Sequence, residues 1–111
     1  NVPSRSFFVW DDVNRMLTLN SAQSKKKLNM HICPLQFDIV DRIINRFSNK
    51  NEVVFDPFAG LFTVPFRAMM MGRYGIGTEL NPESFRDGMF YLRKQEIDMT
   101  TPTLFNLIEV A

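Results

Sequence analysis

The sequence predicts a single α/β domain built on a short parallel sheet. Two short runs, 52–56 and 74–79, have the composition of strands, and segments with apolar residues at helical spacing precede, separate and follow them. Strands that alternate with helices form right-handed crossover units, whose strands run parallel. A chain of 111 residues is long enough for one hydrophobic core and too short for two.

Residues 1–30 are predicted to form an irregular lead-in segment. Within it, Asp11 or Asp12 is expected to cap a short helix that ends at Leu19. The three lysines at 25–27 favour a solvated loop over a contact with a nucleic-acid backbone, because a short charge run is usually an exposed surface.

The clearest predicted helix spans Leu35–Phe47. Its apolar residues recur at intervals of three and four, which places them on one face, and polar residues occupy the opposite face. Pro34 suits the first helical turn, where its missing N–H is harmless. The polar residues 48–51 then indicate a turn before the first strand, Glu52–Asp56.

A loop, a helix and a second strand follow the first strand. After the loop Pro57–Phe62, Thr63 is expected to cap a helix that runs to Met71 and ends at Gly72. The second strand, Tyr74–Glu79, contains two glycines.

The helix after the second strand is predicted to begin at a cap. Asn81 is a capping residue, and the proline after it suits the first helical position. This helix is expected to extend to about Glu96. Residues 97–111 form a tail, in which a further short helix is expected over 101–110.

Composition and charge exclude several classes of protein. The formal net charge of +1 gives no global basic character, and 45% hydrophobic with 23% charged residues is typical of a globular domain. One cysteine and one histidine are too few for a disulfide framework or a zinc site. Because no apolar run reaches the length of a membrane span and no signal-peptide pattern opens the chain, we expect a cytoplasmic location.

Two acidic residues lie at the carboxyl ends of the predicted strands, where parallel α/β folds bind ligands. Asp56 ends the first strand, and Gly60 in the next loop allows a tight turn or a close approach to a ligand. Glu79 ends the second strand, where an acidic side chain can accept hydrogen bonds from ribose hydroxyls. These features predict an adenosine-type ligand. The competing interpretation, which spacing alone favours equally, is that both carboxylates are helix caps.

A dinucleotide-binding site is a weaker alternative. The Gly-x-Gly-x-x-Gly fingerprint follows the first strand and opens a helix. Here Gly75 and Gly77 lie inside the second strand, and Leu80 occupies the position of the last glycine. A nicotinamide-dependent enzyme is therefore kept only as a minor hypothesis.

Three segments resemble the DNA amino-methyltransferases, which act on the N6 position of adenine or the N4 position of cytosine. Residues Val54–Gly60 read VFDPFAG and resemble the S-adenosylmethionine motif of that family. Residues Gly72–Glu83 read GRYGIGTELNPE and resemble the segment that follows it. Residues His31–Ile44 resemble the segment that precedes the cofactor motif in the permuted subgroup, in a form similar to phage or prophage members.

The resemblance implies a partial Rossmann-like methyltransferase fold in which residues 31–96 bind S-adenosylmethionine. It implies that Asp56 lies near the ammonium and sulfonium charges and that Glu79 binds the ribose. The parent enzyme would transfer a methyl group from this cofactor to an exocyclic amino group of adenine or cytosine in DNA, so DNA is an expected partner through the parent protein. The implied cofactor-binding residues are Asp56, Pro57, Phe58, Ala59, Gly60, Glu79, His31 and Cys33.

Departures from the family pattern accompany the resemblance, and in the segment before the cofactor motif Pro34 and Gln36 stand where many members have Gln and Pro. Leu61 and Phe62 replace the Ser-Gly of the cofactor loop, so Phe62 is expected to add bulk where the backbone approaches the ligand. The Asp-Pro-Pro-Tyr-like tetrapeptide that holds the target amino group is absent, and in the permuted subgroup it lies upstream. We therefore expect a C-terminal fragment of such an enzyme, with no catalytic residue of its own and no activity alone.

Such a fragment is expected to expose surface that the whole enzyme covers. In the family fold, the strand with the catalytic tetrapeptide lies beside the strand that ends at Asp56, so its absence leaves an open edge. Self-association, or packing with the missing N-terminal catalytic half, is the expected result. The main alternative, favoured by Phe62, is a non-catalytic interaction module that kept the fold and lost the ligand.

Overall fold

A computed structural model describes residues 9–19 and 35–101 of the chain. The described residues confirm the predicted order and the α/β class. The elements are α1 (Phe37–Phe47), β1 (Val53–Asp56), α2 (Thr63–Met70), β2 (Tyr74–Gly77) and α3 (Pro82–Thr100). The helix predicted over 101–110 lies almost wholly outside the described residues.

The two strands form a parallel sheet with one covered face and one open face. Val53 pairs with Tyr74 and Phe55 with Ile76, and all four side chains are at least half exposed. Val54 points to the opposite face, where it packs against the core. Side chains alternate between the faces of a strand, so these four residues form one apolar surface, here called the open sheet face.

The core lies between α1, α2 and the covered face of the sheet. Val40 and Ile44 of α1 and Ala68 of α2 are buried together, and Val54 packs against them. The apolar stripe predicted for α1 supplies the first two of these residues. Burial of such a stripe contributes most of the stability of a short helix.

Helix α2 packs tightly against the sheet at a glycine of β2. A Cβ atom at Gly75 would lie 2.4 Å from the carbonyl oxygen and 2.6 Å from the Cα of Pro65. A second strand with a side chain at this position could not pack against α2 in the same way, which explains a glycine inside β2.

Two arginines join α1 to the rest of the domain. Arg67 of α2 makes two 2.8 Å hydrogen bonds to the carboxylate of Asp41, and its guanidinium lies 4.6 Å from the ring centre of Phe37. Arg73 is buried and bonds only to neutral oxygens among the described residues: the hydroxyl and carbonyl of Ser48 and the carbonyl of Met71.

The short helix predicted to end at Leu19 is wrong. Residues 9–19 contain turns and no helix. Long-range contacts explain the difference, because the carboxylate of Asp12 accepts a 2.7 Å hydrogen bond from Arg42 of α1. Trp10 lies beneath the guanidinium groups of Arg42 and Arg46, at 5.2 and 5.4 Å.

The lead-in segment also contacts the last helix. The hydroxyl of Tyr91 donates a 3.2 Å hydrogen bond to the carbonyl of Leu19. Partial burial raises the pKa of Tyr91, and the charge of Asp87 adds to this effect.

The ends of α2 and α3 test two predicted caps. Asn81 caps α3 as predicted, since its side-chain oxygen accepts hydrogen bonds from the amides of Glu83 and Ser84. Thr63 is the first residue of α2 and not its cap, a position that Phe62 occupies. None of the helices in the described ranges is long and apolar enough to cross a membrane.

Candidate functional site

The carboxyl ends of β1 and β2 meet at one edge of the sheet, where two loops are joined by hydrogen bonds. The amide of Thr78 donates to the carbonyl of Asp56 at 3.1 Å, and the amide of Ala59 donates to the carbonyl of Thr78 at 2.9 Å. The hydroxyl of Thr78 donates to the carbonyl of Pro57 at 2.7 Å. The loop 57–62, called the cofactor loop because the resemblance predicts that it binds the cofactor, is thereby held against the end of β2.

Glu79 bridges the cofactor loop and the start of α3. Its Oε1 accepts a 2.8 Å hydrogen bond from the amide of Gly60, and its Oε2 accepts one of 2.9 Å from the amide of Asn81. The interpretation of Glu79 as a helix cap is wrong, because Asn81 caps α3. A half-buried carboxylate therefore lies at the end of β2, beside the predicted ligand loop.

Asp56 shapes the start of the cofactor loop. Its Oδ1 accepts a 2.9 Å hydrogen bond from the amide of Phe58, two residues later, which is the geometry of an Asx turn. The interpretation of Asp56 as a helix cap is wrong too, since Phe62 holds that position before α2. The sequence predicted correctly that Asp56 and Glu79 lie on the same edge of the sheet.

The outer surface of the cofactor loop is open. Gly60 has φ +56°, and a Cβ built there would meet nothing within 4 Å. The Phe58 side chain is 86% exposed and that of Leu80 is 98% exposed. Sequence reasoning did not single out Leu80 as a site residue, although a large apolar residue directly after a strand-end carboxylate is a recognisable signal.

Phe62 does not lie where the sequence suggested. It was expected to add bulk on the ligand side of the loop, but its side chain is only 2% exposed and points into the domain. There its ring makes an edge-to-face contact with Phe85, with centres 5.7 Å apart. The sequence argument for a module that lost its ligand depended on this bulk and therefore loses its support.

Two of the predicted site residues, His31 and Cys33, lie outside the described residues, so their place at the cofactor stays a prediction. Within 9–19 and 35–101, no group of three or more metal-ligating side chains occurs. The chemistry available at this edge of the sheet is thus that of two carboxylates, backbone amides and exposed apolar side chains.

Comparison with known proteins gives one family. The model of the DNA methylase family of N6 and N4 methyltransferases matches residues 7–90. The Type II methyltransferase M1.MboII of Moraxella bovis is 35% identical over 85 residues, which cover 71% of this chain and 33% of that protein. No solved structure matches this chain significantly.

Two further relatives are similar over shorter segments. The DNA adenine methyltransferase YhdJ of Escherichia coli K12 is 43% identical over 51 residues, which cover 46% of this chain and 17% of the relative. The Type II methyltransferase M.BamHI of Bacillus amyloliquefaciens is 36% identical over 72 residues, which cover 65% of this chain and 16% of that protein. The chain thus spans about a third or less of the relatives it matches.

Proposed function

Because this chain belongs to the family of DNA N6-adenine and N4-cytosine methyltransferases, we propose that its residues 31–96 are the S-adenosylmethionine-binding part of such an enzyme. The observation that carries the proposal is the bridge from Glu79 to the amide of Gly60, which fixes a carboxylate beside an open, glycine-containing loop at the strand ends. Parallel α/β folds bind nucleotides at this place.

The residues at the strand ends fit the chemistry of this cofactor. S-adenosylmethionine carries a ribose diol, a positively charged ammonium and a sulfonium, and a carboxylate is the natural partner of each. We assign Glu79 to the ribose and Asp56 to the positive charges. Phe58 and Leu80, whose apolar side chains are almost fully exposed, would gain burial against the adenine ring.

The remaining cofactor contacts come from backbone and from the segment before α1. Pro57, Ala59 and Gly60 complete the cofactor loop, whose positive φ at Gly60 leaves the backbone accessible. His31 and Cys33 are proposed to lie near the methionine part. The bound cofactor would supply an electrophilic methyl group, and the role of this chain is to bind and orient it.

Calorimetry tests the proposed ligand. The chain is expected to bind S-adenosylmethionine and S-adenosylhomocysteine and to show no heat with NAD. The same preparation should transfer no labelled methyl group to DNA, because the tetrapeptide that holds the target base is absent from the sequence. Binding of NAD alone would refute the proposed ligand. Clear methyl transfer, with none from a mock preparation, would refute the fragment hypothesis.

We further propose that this part packs against the remainder of a methyltransferase, which supplies the catalytic residues and the contacts to DNA. The relatives are about three or more times longer than the matched segment. An apolar groove of about 400 Å³ lies between α1 and β1, with Ile39, Ile43 and Phe47 on its helical side. Together with the open sheet face it offers an apolar surface of the kind that parallel sheets bury.

Without that remainder, the chain is expected to associate with itself. Light scattering should show a mass that rises with protein concentration, and Ile76→Lys on the open sheet face should lower this association. Phe58 lies outside that face and is more exposed than Ile76, so Phe58→Ser serves as the matched control. A concentration-independent monomer, or equal effects of the two substitutions, would contradict the proposed surface.

A further inference from the structure

Phe62 combines a bulky side chain with the backbone conformation of a glycine. Its φ and ψ angles are 64° and 33°, in the left-handed region. This region costs a residue with a large side chain conformational energy and is usually occupied by glycine, so packing must compensate. The compensation is visible, because Phe62 is among the most deeply buried large side chains of the described ranges.

The ring of Phe62 fits against two glycines from different elements. A Cβ at Gly77, the last residue of β2, would lie 2.8 Å from Cε2 of the ring and 2.8 Å from the Cβ of Ala59. A Cβ at Gly88, in the middle of α3, would lie 2.5 Å from its Cδ1. Neither glycine has a positive φ, so backbone conformation does not require them. Because glycine is unfavourable inside a helix, Gly88 needs a reason of its own, and the ring supplies it.

The same residue closes the cofactor loop. The amide of Phe62 donates a 2.8 Å hydrogen bond to the carbonyl of Ala59, and its carbonyl accepts one of 2.9 Å from the amide of Phe66 in α2. Gly60, two residues earlier, is the loop residue whose amide bonds to Glu79. The ring therefore anchors the end of the loop to β2 and α3, the two elements that flank Glu79.

We propose that Phe62 is a positioning residue for the cofactor loop and that Gly77 and Gly88 form its receptacle. The part of this inference that concerns cofactor affinity rests on the proposed function. The part that concerns loop position and the receptacle is independent of any ligand, so the two parts can fail separately.

A double-mutant cycle between Phe62 and Gly88, on the full chain, tests whether Gly88 is part of the receptacle. Gly88→Ala should lower the denaturant midpoint while Phe62 is present, because the new methyl group meets the ring. In a Phe62→Gly background the same substitution should lower the midpoint much less, since only the carbonyl carbon of Leu61, 3.2 Å from the added Cβ, remains close and alanine is the better helix former. An equal loss in both backgrounds would overturn the assignment of Gly88. If Phe62→Gly does not fold, Phe62→Leu replaces it, and amide hydrogen exchange at Gly60 in that variant decides whether Phe62 positions the loop.

Amide hydrogen exchange tests the positioning role. In Gly88→Ala, and in Phe62→Gly or Phe62→Leu, the Gly60 amide is expected to exchange at least about tenfold faster than in the wild-type chain, under conditions where the chain is folded. Ile44→Val lowers stability in the core cluster, which contains neither Phe62 nor the two glycines, and should leave Gly60 exchange unchanged once stability is matched. Equal exchange at Gly60 in the loop variants and in this control would overturn the proposal.

Cofactor affinity tests whether the position of the loop affects binding of S-adenosylmethionine. The dissociation constant for S-adenosylmethionine should rise about tenfold in the loop variants and stay constant in Ile44→Val. An unchanged affinity alongside faster Gly60 exchange would overturn the link to the cofactor. If the wild-type chain binds no cofactor, the proposed function fails, whereas the cycle and the exchange data still decide the role of Phe62.

Discussion

Glu79→Ala is expected to raise the dissociation constant of S-adenosylmethionine about ten- to hundredfold. The substitution removes the carboxylate assigned to the ribose and also the acceptor of the Gly60 amide, so the cofactor loop loses a fixed point. Hydrogen bonds to charged groups contribute roughly 1.5–3 kcal/mol, and about 1.4 kcal/mol corresponds to a tenfold change in affinity. The free energy of unfolding should fall by only about 1 kcal/mol, because water can replace the carboxylate as the acceptor for the exposed Asn81 amide.

The matched control for this substitution is Glu52, which directly precedes β1 at the opposite edge of the sheet. Glu52 is also an acidic residue whose carboxylate accepts a hydrogen bond from a backbone amide, that of Asn49. Glu52→Ala should therefore lower the denaturant midpoint comparably and leave cofactor affinity unchanged. An unchanged affinity in Glu79→Ala, together with a lowered midpoint, would make Glu79 a structural residue and remove the main support for the site.

Gly75→Ala is expected to destabilise the domain by about 3 kcal/mol, at the upper end of the usual cost of overpacking. The added methyl group would overlap the backbone of Pro65, which cannot rotate away as a flexible side chain can. Helix α2 would have to move from the sheet and disturb the core around Ala68. This loss is a large share of the 5–15 kcal/mol that stabilises an ordinary domain.

Gly60→Ala separates this steric effect from the general cost of replacing a glycine. At Gly60 the added methyl group meets nothing, and only the positive φ is unfavourable, which costs about 1 kcal/mol. Urea denaturation of both variants measures the difference. Equal losses, or a larger loss in Gly60→Ala, would show that α2 and β2 are packed less closely at Gly75 than the distances to Pro65 indicate.

Local patterns predicted each helix and strand that the described residues contain, together with one helix that does not form. The apolar spacing in α1 predicted the helix and its apolar face, because period alone determines which residues share a side. Only Val40 and Ile44 of that face are buried, whereas Ile43 and Phe47 are exposed. Asn81 was recognised as a cap because capping depends on neighbours two and three residues away. Asp56 and Glu79 were placed together by a topological rule, which needs only the order of strands and helices.

Contacts between distant segments account for the failures. The expected helix near Asp12 does not form because this carboxylate bonds to Arg42, thirty residues away in the sequence. The direction of the Phe62 side chain could not be predicted either. It depends on a left-handed backbone angle and on Gly88, and no local pattern connects those two positions. Leu80 was not among the predicted site residues, because its position directly after Glu79 becomes informative only once its 98% exposure is known.

The neutral partners of Arg73 have a consequence for how the protein responds to ionic strength. Arg73 is buried, and each of the three guanidinium nitrogens donates a hydrogen bond to an uncharged oxygen of Ser48 or Met71. Mobile ions weaken attraction between exposed charges and hardly affect such bonds. Salt concentrations that release proteins from DNA should therefore loosen the exposed pair of Arg42 and Asp12 while the junction of α1 with β2 stays closed.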